Sequence, residues 1–384
     1  MKKIIVVAML VICFFNNIQV VAFALDQTFE AKSVILFEPT TKQVLHEKNA
    51  HDKLPPASVT KVMTMLLIYE AIKDGKITWE DKVTISEHAA NMGGSQIFLE
   101  EGQTQTVKDL TKSIVIASAN DAAVAMAEHI AGTEEAFVVL MNQRSKELGM
   151  DNTTFINACG LDAEGHETTA HDIALMSGEL IVNFPEIKET ALTWMDTITH
   201  ETRRGQETFG LTNTNKMVRS YSGITGLKTG STSSALFCIS ATAEKDDLQL
   251  VSVILGAPNS KTRFNEAGRL LDYGFANYTR VRGDATGSPK GKVPIHKGSV
   301  NEASIVVKDE INVIVPKGSG IKLESEVETL ANVTAPQKKG TKVGEVIYKA
   351  EGKEVGRASL VLENDVQKAG VGHMMKKIIS TWSE

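Results

Sequence analysis

Aromatic residues are scarce in this chain, at 5% of 384 residues, and its net charge is −6. A nucleic-acid surface needs stacking rings or a basic stripe, so this balance argues against a nucleic-acid partner. Cysteine is also sparse. Cys13 lies in the first segment, and only Cys159 and Cys238 remain beyond it. Two cysteines permit one disulfide but nothing in their spacing demands it, and the chain is not a disulfide scaffold. No Walker or dinucleotide fingerprint occurs, and no organic cofactor is implied. His166 and His171 stand near Asp162 and Asp172, but their spacing matches no zinc motif, so no metal is expected. What is present is a globular composition, 42% hydrophobic and 23% charged, with enough length for two or three domains.

The first segment reads as an export signal rather than as part of the fold. Lys2-Lys3 form a positive n-region, Ile4 to Phe15 an apolar core, and Ala22-Phe23-Ala24 a small-residue cleavage site. The apolar stretch is too short for a membrane span. Removing residues 1–24 takes two lysines and no acids from the −6 total and leaves −8.

Strand patterning opens the mature chain: Ser33 to Phe37 and Gln43 to Glu47 flank a turn at Pro39-Thr40-Thr41-Lys42. Pro55-Pro56 then ends any extended run and leads into a helix carrying Ser58. From Val62 to about Ile198 the pattern is mostly helical, with apolar residues at three- and four-residue intervals over Thr106–Ile130 and Glu134–Leu148. Ala235 to Ala243 and Leu248 to Leu255 form a hairpin around Glu244-Lys245-Asp246-Asp247. The helix that follows aligns Ala267, Leu270, Leu271, Gly274, Phe275 and Tyr278 on one face. This is an α+β layout, helices packed on an antiparallel sheet, over residues 25–280. Gly283 to Lys292 looks like a linker. Short alternating segments at Ala303–Val307, Ile311–Val315, Ile321–Val327, Val343–Lys349 and Lys353–Leu362 imply a small all-β domain over 281–364. In the last stretch, 365–384, Val371, Met374, Met375, Ile378, Ile379 and Trp382 make an apolar stripe with Lys368, Lys376 and Lys377 opposite. Such an amphipathic helix anchors in an anionic membrane surface, or else docks on the β domain.

Three short motifs carry the chemistry. In Ser58-Val59-Thr60-Lys61, residues three apart share a helix face at the mouth of the apolar run Val62 to Ile68. Burial lowers a lysine's pKa towards neutrality, and a neutral amine beside a hydroxyl is a nucleophile–base pair. Read alone, the same four residues are also a helix entrance with a capping serine and a snorkelling lysine. Ser118-Ala119-Asn120 places polar groups inside the apolar stretch Ile114 to Ala127. Lys228-Thr229-Gly230 precedes the late hairpin, behind a loop containing Gly223 and Gly226. S-x-x-K, S-x-N and K-T-G, in that order, form a set known from penicillin-binding proteins and class A β-lactamases. Glu179 and Asn183 formally resemble the E-x-x-x-N pattern of the latter, but they fall in an apolar helical run.

With Phe98-Leu99-Glu100-Glu101-Gly102, Ser118 to Gly132, Gly160-Leu161-Asp162 and Gly256-Ala257-Pro258, the mature chain resembles the D-alanyl-D-alanine carboxypeptidases. These are the low-molecular-mass penicillin-binding proteins. The resemblance implies a transpeptidase/β-lactamase-like domain, a small β domain and a C-terminal amphipathic anchor, at the outer face of the bacterial cytoplasmic membrane. It implies an acyl-enzyme on Ser58, inhibition by β-lactams, and a peptidoglycan stem peptide ending in D-Ala-D-Ala as substrate. Lys61 would be the base, Ser118 a proton relay to the leaving amine, and Asn120 the holder of Lys61 and of the substrate amide. Lys228 would supply positive charge. The hydroxyl of Thr229, with Arg263, would bind the terminal carboxylate, Gly230 of the same motif would be substrate-binding, and the N–H groups of Ser58 and Ser231 would form the oxyanion hole. Two departures stand out: Leu236 replaces a usual glycine, and Cys159 occupies a variable position. Within the same chemistry the alternative is a D,D-endopeptidase that cleaves cross-links. Outside it, the alternative is a non-catalytic penicillin-binding wall protein.

Overall fold

The computed structural model describes residues 28–202 and 205–370. β1 (Ser33–Glu38) and β2 (Gln43–Lys48) form the opening hairpin, and a 3-10 turn over Ala57–Thr60 runs into α1 (Lys61–Lys73). β3 (Lys82–Thr84), α2 (Glu87–Ala90), β4 (Thr104–Thr106), α3 (Val107–Ile116), α4 (Asn120–Ala131), α5 (Glu134–Glu147), α6 (Ala170–Asn183) and α7 (Ile187–Ala191) build the helical block. The chain returns through β5 (Met195–Thr202), β6 (Gly205–Thr212), α8 (Met217–Ser220), β7 (Ile224–Thr232), β8 (Leu236–Lys245), β9 (Leu248–Ala257) and α9 (Ser260–Asn277).

The helices start where their caps dictate. The hydroxyls of Thr106, Thr133 and Thr169 and the amide oxygen of Asn259 accept from the backbone N–H groups of Asp109, Ala136, Asp172 and Thr262, satisfying donors that a helix leaves orphaned. The central sheet is antiparallel in the order β2-β1-β9-β8-β7. Alternation along β1 sorts its side chains: Ile35 and Phe37 face the helical block, Val34 and Leu36 face α9. The sheet is thus buried on both faces, and β7 is left as an edge with one free side.

The second body is a six-stranded sheet in the order β14-β16-β17-β12-β11-β15, built from β11 (Pro289–His296), β12 (Glu302–Val307), β14 (Glu324–Thr329), β15 (Val333–Thr334), β16 (Lys342–Ala350) and β17 (Lys353–Leu362). It has its own core around Val293, Ile305, Val346 and Leu360. β10 (Tyr278–Arg282), directly after α9, pairs with β13 (Asn312–Pro316) and straddles the 280/281 boundary read from sequence.

Several expectations need correction. The helical run ends at Ala191, and a two-stranded hairpin, β5–β6, replaces its expected last turns. Most side chains of β6 are exposed, so no apolar alternation marks it. Lys228-Thr229-Gly230 does precede the hairpin β8–β9, but it lies in a strand of its own, β7, and Gly226, read as loop, belongs to the same strand. The glycine- and lysine-rich linker is partly strand, since β11 begins at Pro289, with Lys292 exposed and Lys290 paired with Asp284 at 2.6 Å. No helix starts at residue 365: residues 365–370 run extended, with bridges Gln337↔Val366 and Gly298↔Lys368. The apolar stripe from Val371 onward, like the export signal over 1–24, lies outside the described residues. Among the described residues no helix is long and apolar enough to cross a membrane.

Candidate active site

Ser58 occupies the 3-10 turn and Lys61 is the first residue of α1. In a 3-10 turn residues i and i+3 eclipse, which brings Lys61 Nζ to 3.0 Å from Ser58 Oγ. Lys61 is fully buried. Its Nζ also lies 2.6 Å from Asn120 Oδ1 and 2.7 Å from the Cys159 carbonyl oxygen. Two of these three neighbours are carbonyl oxygens that can only accept, so a neutral amine donates to both and turns its lone pair on the Ser58 hydroxyl. Burial brings the Lys61 pKa down from 10.5 to about 8, against the opposing pull of Cys159 and Asp121.

Lys228 is equally buried. Its pKa is pushed well below the usual lysine value by burial and by the positive charges of Lys61 and Arg263. Its ammonium donates to the Thr229 carbonyl at 3.1 Å.

Asn120 opens α4, and its side-chain N–H donates to the Gly93 carbonyl at 2.6 Å, which fixes the amide with its oxygen towards Lys61. Its backbone N–H donates to Ser95 O at 2.7 Å. The next residue, Asp121, is buried and accepts from the N–H groups of Ile97, Leu99 and Ala122. Ser118 is buried in the break between α3 and α4, in the left-handed region at φ 64. That backbone breaks the helix between α3 and α4 at a serine set between two apolar runs.

β7 presents the third motif along the free sheet edge. Gly230 packs on the turn that carries Ser58 so closely that a Cβ there would lie 2.8 Å from Ser58 N and 3.0 Å from Ala57 Cβ. Ser231 is exposed, next along the edge. Thr229 Oγ1 donates to Thr214 Oγ1 at 2.8 Å. Arg263 is placed differently from the sequence reading. Its Nη1 is taken by the carbonyls of Gly230 (3.1 Å) and Cys238 (3.3 Å), and its Cζ lies over the rings of Phe264 (4.4 Å) and Phe237 (5.6 Å). The guanidinium thus braces β7 against β8, and its charge reaches the cleft through the strand.

Four contributors were missed. The Cys159 carbonyl is a backbone group, for which no side-chain motif exists. Asp121 lies inside the S-x-N context as the letter after it. Thr214 sits between buried Asn213 and Asn215, whose side chains bind the carbonyls of Ala191, Thr193 and Gly226, so the triplet Asn213-Thr214-Asn215 was the available signal. His166 supports the turn from behind. Burial lowers its pKa to about 4 and keeps it neutral. Nδ1 accepts from Ile156 N–H at 3.0 Å, so Nε2 carries the proton and donates to Thr60 Oγ1 at 2.8 Å. Glu179 pairs with Arg144 at 2.6 Å on the far side of the helical block. Cys159 and Cys238 are buried free thiols. Leu236, where glycine is usual, takes the left-handed φ of 57.

A serine bonded to a buried lysine that an asparagine holds, with the S-x-N motif at a helix break and K-T-G on a sheet edge, marks the penicillin-recognising class of serine enzymes. The model of the D-alanyl-D-alanine carboxypeptidase family matches residues 20–259, and that of the penicillin-binding protein 5 C-terminal domain matches residues 282–368. The chain is 40% identical to D-alanyl-D-alanine carboxypeptidase DacF of Bacillus subtilis, over 92% of this chain and 90% of that protein. It is 36% identical to DacC of Escherichia coli, over 91% and 88%. Penicillin-binding protein 5 from Haemophilus influenzae superposes with a TM-score of 0.76 at 30% identity, covering 89% of this chain and 99% of that one. The chain belongs to the D-alanyl-D-alanine carboxypeptidase family.

Proposed function

We propose that this protein is a serine D,D-carboxypeptidase that removes the terminal D-alanine from peptidoglycan stem peptides and is acylated by β-lactams. The observation that carries the reading is the Lys61 amine, buried and held at 3.0 Å from Ser58 Oγ by two carbonyl acceptors. Lys61 takes the Ser58 proton as the Oγ–carbonyl bond forms. The N–H groups of Ser58 and Ser231 stabilise the oxyanion, a contribution of about 3–4 kcal/mol per donor. Ser118 relays that proton from Lys61 to the leaving amine as the C–N bond breaks, which restores the neutral Lys61 amine. In deacylation Lys61 takes a proton from water as the water oxygen bonds to the ester carbonyl, and it returns that proton to Ser58 Oγ as the ester C–O bond breaks. The substrate backbone lies along the free edge of β7, paired as an added strand, with its amide held by Asn120. The hydroxyl of Thr229 binds the terminal carboxylate in the positive field of Lys228 and Arg263, and Gly230, without a side chain, lets the β7 backbone lie close against the Ser58 turn.

Labelling with a fluorescent penicillin tests this reading: the modified peptide should contain Ser58, and Ser58→Ala should take no label. Undiminished labelling of Ser58→Ala would remove the central assignment.

The same proposal has the chain exported by residues 1–24 and held at the outer face of the cytoplasmic membrane by its C-terminal segment, with residues 25–280 catalytic and 281–364 a spacer. Because Val366 and Lys368 bridge to the β domain, the informative truncation ends at Gly370. It should free the protein from membranes with its peptidase activity intact. A truncated form that still sediments with membranes would count against the anchor.

A further inference from the structure

Phe98 is 67% exposed, yet it sits in the left-handed region at φ 58, where bulky residues are uncommon. The bonds that hold it there are those that hold Asn120. Ile97 N–H and Leu99 N–H, on either side of Phe98, each reach Asp121 Oδ2 at 3.1 Å, and Ser95 O accepts from Asn120 N–H at 2.7 Å. Three residues of chain put the Phe98 backbone within about 10 Å of Ser95. Its ring meets Phe209 of β6 edge-on, with centroids 6.0 Å apart. His200 of β5 lies against Phe209 at 5.5 Å, itself buried, with no hydrogen-bond partner for Nε2.

β6 leads into the turn at Thr214, whose N–H donates to Ile116 O at 3.2 Å and whose hydroxyl accepts from Thr229. Phe98 therefore hangs from the Asn120 wall of the cleft and Phe209 from the Thr214 wall. Ser118 lies in the chain between the two anchors, Ile116 and Asn120.

We propose that Phe98 and Phe209 form an aromatic rim across the leaving-group end of the cleft and make the enzyme an exopeptidase. A single D-alanine fits beneath the rim, whereas a leaving amine that belongs to a second stem peptide, as in a cross-link, meets the rings. The inference rests on the assignment of Ser118 and Thr229 to the leaving group.

The test is the ratio of kcat/KM on a D,D-cross-linked peptide dimer to kcat/KM on a pentapeptide ending in D-Ala-D-Ala. Wild type should strongly favour the pentapeptide. Phe98→Gly and Phe209→Ala should each raise the dimer-to-pentapeptide ratio by about tenfold or more, the scale on which pocket shape discriminates. An unchanged ratio in a double variant that still takes fluorescent penicillin on Ser58 overturns the rim, and so does a wild type that cleaves both substrates equally. If rings that stack on the acyl part were removed, both substrates would suffer alike, which is the same overturning result. Should Phe209→Ala fail to label, Phe98→Gly decides alone, because glycine suits the left-handed backbone. A wild type that labels on Ser58 but hydrolyses neither peptide refutes the carboxypeptidase reading itself, and the rim with it. The two failures are therefore distinguishable.

Discussion

Lys61→Met should acylate with a fluorescent penicillin on the order of 10²–10⁴-fold more slowly than wild type, the usual contribution of a positioned base. Methionine fills similar volume in the buried helix start but offers no basic nitrogen. The wild-type rate should climb with pH through about 8, where Lys61 loses its proton, and level off above it. At pH 7 only about a tenth of the molecules then hold the amine neutral, so each unit of pH below the midpoint costs about tenfold in rate. Stability carries the same signature. The folded lysine titrates at about 8 and the unfolded one near 10.5, so between these values the unfolded chain binds the extra proton and stability rises with pH. The full difference corresponds to about 3 kcal/mol, and Lys61→Met should lack this rise. Acylation rates and thermal midpoints measured across that window check both halves. A flat wild-type rate profile would show that Lys61 is not the titrating base.

The legibility of this pair in the sequence has a physical basis. Ser58 and Lys61 are three apart, and that spacing aligns side chains in both an α-helix and a 3-10 turn, so the inference survives the change of helix type. Ser118 and Asn120 were legible because polar residues stood inside an apolar run. The strands β8 and β9 were legible because burial on both faces makes them continuous apolar runs. The hairpin β5–β6 was not, because few of its residues enter the core: Ile198 and Leu211 are buried while Met195 is 66% exposed. Tertiary reach was least visible. Arg263 follows the hairpin in an amphipathic helix and reads as an open-site ligand. Only the packed sheet shows its Nη1 already engaged by the carbonyls of Gly230 and Cys238. The aromatic contact of Phe98 with Phe209 joins segments over a hundred residues apart, as does the hydrogen bond that turns His166 on Thr60.

Gly160→Ala should impair the site more than any other single methyl group added to its surroundings. Gly160 follows the Cys159 carbonyl that holds Lys61, and it takes φ 87, which costs a non-glycine residue about 1–3 kcal/mol. An added Cβ would also overlap the carbonyl oxygen of Ala57 and approach Thr60 Oγ1 at 2.9 Å. Both neighbours are in the nucleophile's turn. Neither can give way cheaply: Ala57 already has a left-handed φ of 49, and Thr60 Oγ1 is tied to His166. Relief therefore has to move Ser58 or the Cys159 carbonyl, and either motion lengthens a bond to Lys61. A displacement near 1 Å at such a site costs about a hundredfold in rate, so acylation should fall at least that far, along with a lower thermal midpoint. Gly165→Ala separates the two causes, because Gly165 shares the left-handed backbone at φ 79 but has no heavy atom within 4 Å of an added Cβ. It should lose stability from the backbone term alone and keep its acylation rate. Equal labelling rates for Gly160→Ala and wild type would mean that the turn yields without moving Ser58, and the rigid packing inferred between the two loops would be wrong.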